Sequence, residues 1–262
     1  MTKTLSRRGF LAGSALAGAA WLAGPAIPAA ASGRALYSPI LMYHRVGSPP
    51  RDAGAIRRDL TIAPDLFAAH LDMLAGAGYQ AVSMAALWAA LADGAEIPAK
   101  PVVLTFDDGY DDAYRCAYPL LARRSMTGMF YLITGFIGQP GYLTWAQAAE
   151  MRAAGMEMGN HSVTHHNLRG RDHAYLMAEI DGAASAMAGV FGERPRFFCY
   201  PLGHYDSRVI AVLRETGHLA ATTIFDGTLH AASYPDAYRM PRVRIHSATS
   251  VERLAWLLNR RV

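Results

Sequence analysis

Short apolar runs and helical patterns alternate through most of this chain, at intervals of roughly 20–35 residues. This alternation limits the fold more than any other feature, because parallel strands need crossovers long enough to hold a helix. Residues 39–44, 79–83, 102–106, 127–133, 156–160, 197–200, 219–223 and 239–246 read as strands. Pro64 opens a helix with Phe67, His70, Leu71 and Leu74 on one face, stopped by Gly76 and Gly78. Further helices are expected over 84–92, 113–124, 145–154, 174–190, 207–216 and 251–259. Seven or eight such units predict an α/β chain closed into a (β/α) barrel, with an open doubly wound sheet as the alternative. No break in composition separates a second domain within 32–262.

Polar clusters sit just past several of these runs: His44, Asp107 with Asp108, His161, and Tyr200-Pro201. In a parallel barrel those strand ends share one face, where active sites form. The run Val102-Val103-Leu104-Thr105-Phe106 ends in two adjacent carboxylates and Gly109, which permits a sharp exit. Neighbouring carboxylates repel, so a cation or a shared proton would explain the pair. An acidic turn with helix-capping acids is the plainer reading, since Asp111 and Asp112 follow. His161 and His165 are four apart, a spacing that sets two imidazoles on one side of a helical turn. Histidines so spaced also occur on ordinary helix faces. With one aspartate they would make a three-ligand hydrolytic zinc site, and the second aspartate could take a proton from the water attacking a carbonyl.

The amino terminus reads as an address. Ser6-Arg7-Arg8-Gly9-Phe10-Leu11 leads a weakly hydrophobic run that ends at Ala29-Ala30-Ala31, a twin-arginine export signal over 1–31 with cleavage after Ala31. An uncleaved membrane anchor is the alternative, but the run is short for a span, so no stable membrane insertion is expected after cleavage, and the mature chain is placed in the periplasm or outside the cell. Of the net charge of +4, Lys3, Arg7 and Arg8 supply three, which leaves +1 on 32–262 and gives no support for a nucleic-acid partner. Cys116 and Cys199 form no C-x-x-C pair, so a thiolate zinc site is not expected; they read as buried small hydrophobes, although export would permit a disulfide.

Thr105-Phe106-Asp107-Asp108-Gly109, His161-Ser162-Val163-Thr164-His165 and Phe198-Cys199-Tyr200-Pro201-Leu202-Gly203 resemble, in order and separation, three motifs of the polysaccharide deacetylase family (carbohydrate esterase family four). The opening 39–44 and Met240-Pro241-Arg242 resemble its poly-N-acetylglucosamine branch. The resemblance implies a distorted (β/α)7–8 barrel that removes N-acetyl groups from an N-acetylated amino-sugar polysaccharide. It implies Asp107 as general base, and Asp108, His161 and His165 as ligands of a divalent ion, zinc first, with cobalt or nickel suited to the same donors. Tyr200 and Leu202 would line the substrate groove, and the backbone N–H of Leu202, after Pro201, would help hold the oxyanion. The arginine that orients the base in many members is replaced by Phe198 at the aligned position; Arg242 is a substitute, or merely closes the barrel rim. The motifs expected to supply the general acid are absent or faint, leaving His246 and His44 as candidates. A carbohydrate-binding protein that has lost its chemistry, and a periplasmic amidase acting on a small N-acyl compound, are the rival readings.

Overall fold

Among the described residues, seven short strands pair in chain order, all parallel, and the last returns to the first. They are β1 (Ile40–Tyr43), β2 (Pro101–Phe106), β3 (Met129–Leu132), β4 (Glu157–Asn160), β5 (Phe197–Cys199), β6 (Ala220–Asp226) and β7 (Met240–Arg244). The computed structural model describes residues 36–230 and 236–259; the export signal read over 1–31 lies outside them. Ile40 lies opposite Val103 and Tyr43 opposite Phe106, while Val243 lies opposite Leu41. These two pairings close the sheet into a barrel and exclude the open sheet. Gln80–Ala81, read as a full strand over 79–83, pairs only with the first two residues of β2 and stays outside the ring.

Side chains alternate across each strand, and that parity divides the core. Tyr43, Phe106 and Phe130, on adjacent strands, stack with centroids 5.4 and 4.7 Å apart and face the helix Pro64–Gly76 through Phe67. Thr105, one position from Phe106, faces the barrel interior instead, and so does Arg242 of β7, whose guanidinium reaches it at 3.0 Å. Gly159 in β4 has a steric reason: a Cβ there would lie 2.4 Å from the Tyr131 ring, which fills the interior beside it. Glu157, at the start of β4, accepts the backbone N–H groups of Met84 and Ala85 and so caps the helix Met84–Asp93 from below the barrel. The helices Trp145–Ala153, His173–Phe191, Ser207–Glu215 and Val251–Asn259 pack around the ring, as the alternation requires. None of the described helices is long and apolar enough to cross a membrane.

Candidate active site

At the C-terminal end of β2 the chain takes two consecutive left-handed steps, Asp108 at φ 76° and Gly109 at φ 71°. The glycine was expected there; the aspartate is the costlier of the two, because its Cβ crowds the backbone. The turn sends the adjacent carboxylates apart. Asp107 points into the barrel toward Arg242, and Asp108 points across the mouth toward His161 and His165. The capping reading fails for Asp112, whose carboxylate holds Arg45 and the Val46 N–H rather than a helix end.

Arg242 is fully buried, and all five of its N–H donors are met. Nε donates to the Thr223 carbonyl at 2.9 Å. Nη1 donates to Thr105 Oγ1 at 3.0 Å and Asp107 Oδ1 at 2.7 Å, and Nη2 to Asp107 Oδ2 at 2.7 Å and Cys199 Sγ at 3.2 Å. The guanidinium thus grips both oxygens of Asp107, and it reaches that position because β7 and β2 both flank β1 in the closed ring. Burial alone would raise the Asp107 carboxyl, but the Arg242 charge and its paired hydrogen bonds outweigh burial and hold it below the ordinary carboxylate value. Sequence reasoning missed Thr105 and Cys199 as partners of Arg242; the inward parity that Thr105 shares with Asp107 is the signal that could have found the first.

His161 and His165 meet through a loop, not through the helical turn that their spacing suggested. Ser162 and His165 lie at φ 66° and 60°, and this folds the chain back until the two imidazole centroids are 4.7 Å apart. His161 Nδ1 faces the Cys199 carbonyl at 2.7 Å, which fixes the ring and leaves Nε2 toward Asp108. Asp108 Oδ1 is 3.4 Å from Nε2 of both histidines. Burial opposes a charge on His161, but Cys199, Asp108 and Asp107 outweigh it and push the imidazole well above its usual value, so the centre draws positive charge to this spot. Burial, and then the nearby His161, lower His165 to about 4, which keeps its lone pair free at neutral pH.

The three donor atoms of Asp108, His161 and His165 all lie within 4.8 Å of one another, a set that fits a divalent cation. Asp107, His161 and Cys199 also gather donor atoms. That second grouping fits poorly, because Arg242 already occupies both Asp107 oxygens and would repel a cation. Replacing His165 with alanine is expected to weaken cation binding by more than about a hundredfold, beyond the roughly 10–100-fold that loss of an outer hydrogen bond costs. Replacing buried His161 should weaken it further; both are read by metal content after dialysis, and unchanged content would reject the ligand set.

His44, just past β1, brings Nε2 to 3.9 Å from Asp107 Oδ2. Its Nδ1 is buried without a hydrogen-bond partner. Burial lowers the His44 pKa, against the opposing pull of Asp107 and Asp108. His246 is not brought to these groups. It follows β7, where its Nδ1 accepts from the Ala248 N–H at 3.3 Å within a turn that Thr249 closes. Tyr200 also departs from expectation. It is 1% exposed, its hydroxyl donates to the Tyr238 carbonyl at 2.9 Å, and Tyr205 stacks on its ring at 4.1 Å. A side chain so enclosed cannot line an open groove, whereas Leu202, after Pro201, is 51% exposed at φ 58°. Four of the five non-glycine residues with positive φ among those described, Asp108, Ser162, His165 and Leu202, therefore belong to the three motifs. Each costs about 1–3 kcal/mol and persists only where its surroundings enforce it, as at a working site.

Comparison with known proteins agrees with this geometry. A model of the polysaccharide deacetylase family matches residues 94–221, which hold Asp107, Asp108, both histidines and the Tyr200-Pro201-Leu202 turn. The deacetylase PplD of Streptococcus pyogenes, solved in complex with acetate, superposes with a TM-score of 0.80 at 27% identity, covering 87% of this chain and all of that one. The chain carries a polysaccharide deacetylase domain. Its chemistry is that of an N-deacetylase, a hydrolase of amide bonds. YxkH of Bacillus subtilis is 28% identical over 81% of this chain and 72% of its own length. The poly-beta-1,6-N-acetyl-D-glucosamine N-deacetylase of Escherichia coli is 24% identical over 82% of this chain, which spans only 37% of that protein. The deacetylase family uses a divalent cation, and Asp108, His161 and His165 are the donors suited to it here.

Proposed function

We propose that this chain is a metal-dependent deacetylase that removes N-acetyl groups from a polymer of N-acetylglucosamine outside the cytoplasmic membrane. The observation that carries the reading is the division of labour between adjacent aspartates: Arg242 grips Asp107, and Asp108 completes a donor set with His161 and His165. A divalent cation held by that set would supply the Lewis acidity to acidify a water molecule and polarise the amide carbonyl.

Asp107 is the general base. Arg242 keeps it ionised and fixes its plane, so a water molecule beside it loses its proton to a carboxylate that cannot rotate away. His44 is the general acid. Burial lowers its pKa, so its imidazolium is a strong proton donor toward the leaving amine, and its Nε2, 3.9 Å from Asp107 Oδ2, places it beside the base. Leu202 offers its backbone N–H to the developing oxyanion. Its exposed side chain stands at the mouth with Ile224 and Phe225, 49% and 56% exposed, as apolar surface for the acetyl methyl and the sugar faces. The name of the Escherichia coli relative and the resemblance of 39–44 and 240–242 support a poly-N-acetylglucosamine substrate. Arg7-Arg8 and the run to Ala31 support export. Two imidazoles and a carboxylate suit zinc, and also cobalt or nickel.

The test is acetate release from β-1,6-linked poly-N-acetylglucosamine, chitin oligomers, peptidoglycan and a simple N-acetyl amine, with and without chelator. Release from the β-1,6 polymer, lost with chelator and restored by zinc or cobalt, is expected. Release from the simple amide alone would favour a small-molecule amidase. Binding to the polymer without release from any substrate by cation-loaded protein would leave only a carbohydrate-binding role.

A further inference from the structure

The loop that carries both imidazoles contains two left-handed residues and so cannot meet its own backbone donors as a helix would. Each donor from 162 to 165 is met from a side chain instead. Ser162 N–H donates to Asn160 Oδ1 at 2.8 Å, and His165 N–H to Ser162 Oγ at 3.0 Å. The two between them go to one carboxylate: Val163 N–H and Thr164 N–H reach Glu179 Oε2 at 3.1 and 2.9 Å. Thr164 Oγ1 adds a third bond, to Glu179 Oε1 at 2.7 Å. Glu179 is 5% exposed and lies on the helix His173–Phe191. The next residue of that helix, Ile180, accepts from the Asn160 amide at 2.9 Å through its carbonyl. The helix therefore holds the loop at its start through a backbone carbonyl and at its middle through a side chain. From the opposite side, Thr134 and Gly135 N–H groups bind the Ser162 and Val163 carbonyls at 3.1 and 3.0 Å.

We propose that Glu179 is a positioning residue for the cation centre: its carboxylate holds residues 162–165 in the strained conformation that aims His161 and His165 together at Asp108. The physical reason is that a buried, charge-assisted acceptor bonded to two consecutive N–H groups is the strongest restraint available against relaxation of Ser162 and His165. Without it the loop loses three hydrogen bonds and the two imidazoles lose their common aim, although neither touches Glu179.

The proposal rests on Asp108, His161 and His165 being the cation ligands, and one experiment separates the two ideas. Wild type, Glu179→Gln and Glu179→Ala are freed of metal and titrated with Co2+, with binding read from ligand-field absorption and from competition with a chelator. Thermal melting is recorded on the same samples. Glu179→Ala is expected to bind Co2+ about 10–100-fold more weakly, with altered absorption bands, at temperatures where it is fully folded. Glutamine can accept both N–H groups through its carbonyl and donate to Thr164 Oγ1 through its amide, so Glu179→Gln should stay within about threefold of wild type. Should the alanine variant not fold, Glu179→Asp carries the test, because one methylene less breaks the reach while keeping the charge. Wild-type affinity and spectrum in folded Glu179→Ala, or in Glu179→Asp in its place, overturn the positioning role and leave the ligand set standing. Absence of saturable Co2+ binding by wild type removes the ligand set, and the positioning role with it.

Discussion

Replacing Asp107 with asparagine is expected to lower acetate release about 10²–10⁴-fold while the affinity for the cation stays near that of wild type. The amide has nearly the shape of the carboxylate but cannot accept a proton from water at working pH. The cation donors are Asp108, His161 and His165, which the substitution leaves in place. One side effect is built into the geometry. An asparagine amide can present only one oxygen to the guanidinium, so its NH2 group would face a donor of Arg242 where Asp107 offered a second acceptor at 2.7 Å. The variant should therefore be less stable as well as inactive, and its melting curve belongs beside its kinetics. A folded, cation-loaded and inactive protein is the expected outcome. A variant that keeps more than about a tenth of wild-type turnover would remove Asp107 from the role of base.

The parts of this molecule that were legible in the sequence are those set by local periodicity. The helix bounded by Pro64 and Gly76 falls at those residues, because a proline at the first turn and a glycine at the end act within a few positions. The strand ends were legible too, because apolar runs stop where the barrel opens to water. Ring closure and loop conformation were not. Residues 79–83 have as good a strand pattern as their neighbours, yet only Gln80–Ala81 pairs, since the ring closes through β1 against β2 without it. The i, i+4 spacing of His161 and His165 says nothing of φ, and neither Ser162 nor His165 is a glycine that would announce a left-handed turn. Arg242 lies 135 positions from Asp107, so its grip depends on which strands become neighbours and not on any local pattern. His246 shows the converse: it follows β7 directly, yet a turn two residues long engages its ring.

Arg242 is where that long-range geometry can be tested most severely. Replacing it with leucine is expected to destabilise the fold by about 3–5 kcal/mol at neutral pH, because a carboxylate is left buried without its counter-charge. For a domain of this size that is a fall in melting temperature of about 6–20 °C. The pH dependence follows from the sign of the Asp107 shift. In wild type its folded pKa is depressed, so the stabilisation it provides is fully present above the unfolded value of about 3.9 and is lost as pH falls through the depressed value. In Arg242→Leu the largest opposition to burial is gone and only His44 and His161 still counter it, so the same group rises and the folded variant binds a proton at mildly acidic pH where the unfolded chain does not. The stability gap between the two proteins should therefore narrow as pH falls from 7 toward 4, and the acid limb of the rate profile should move to higher pH in the variant. Arg242→Lys sharpens the assignment, since it restores a charge but only three donors from a single atom. It should recover part of the stability without restoring the grip on both oxygens of Asp107. Denaturant titrations across this pH range, together with rate profiles of the three proteins, decide the matter. An unmoved acid limb in Arg242→Leu would show that the arginine closes the barrel without governing the base.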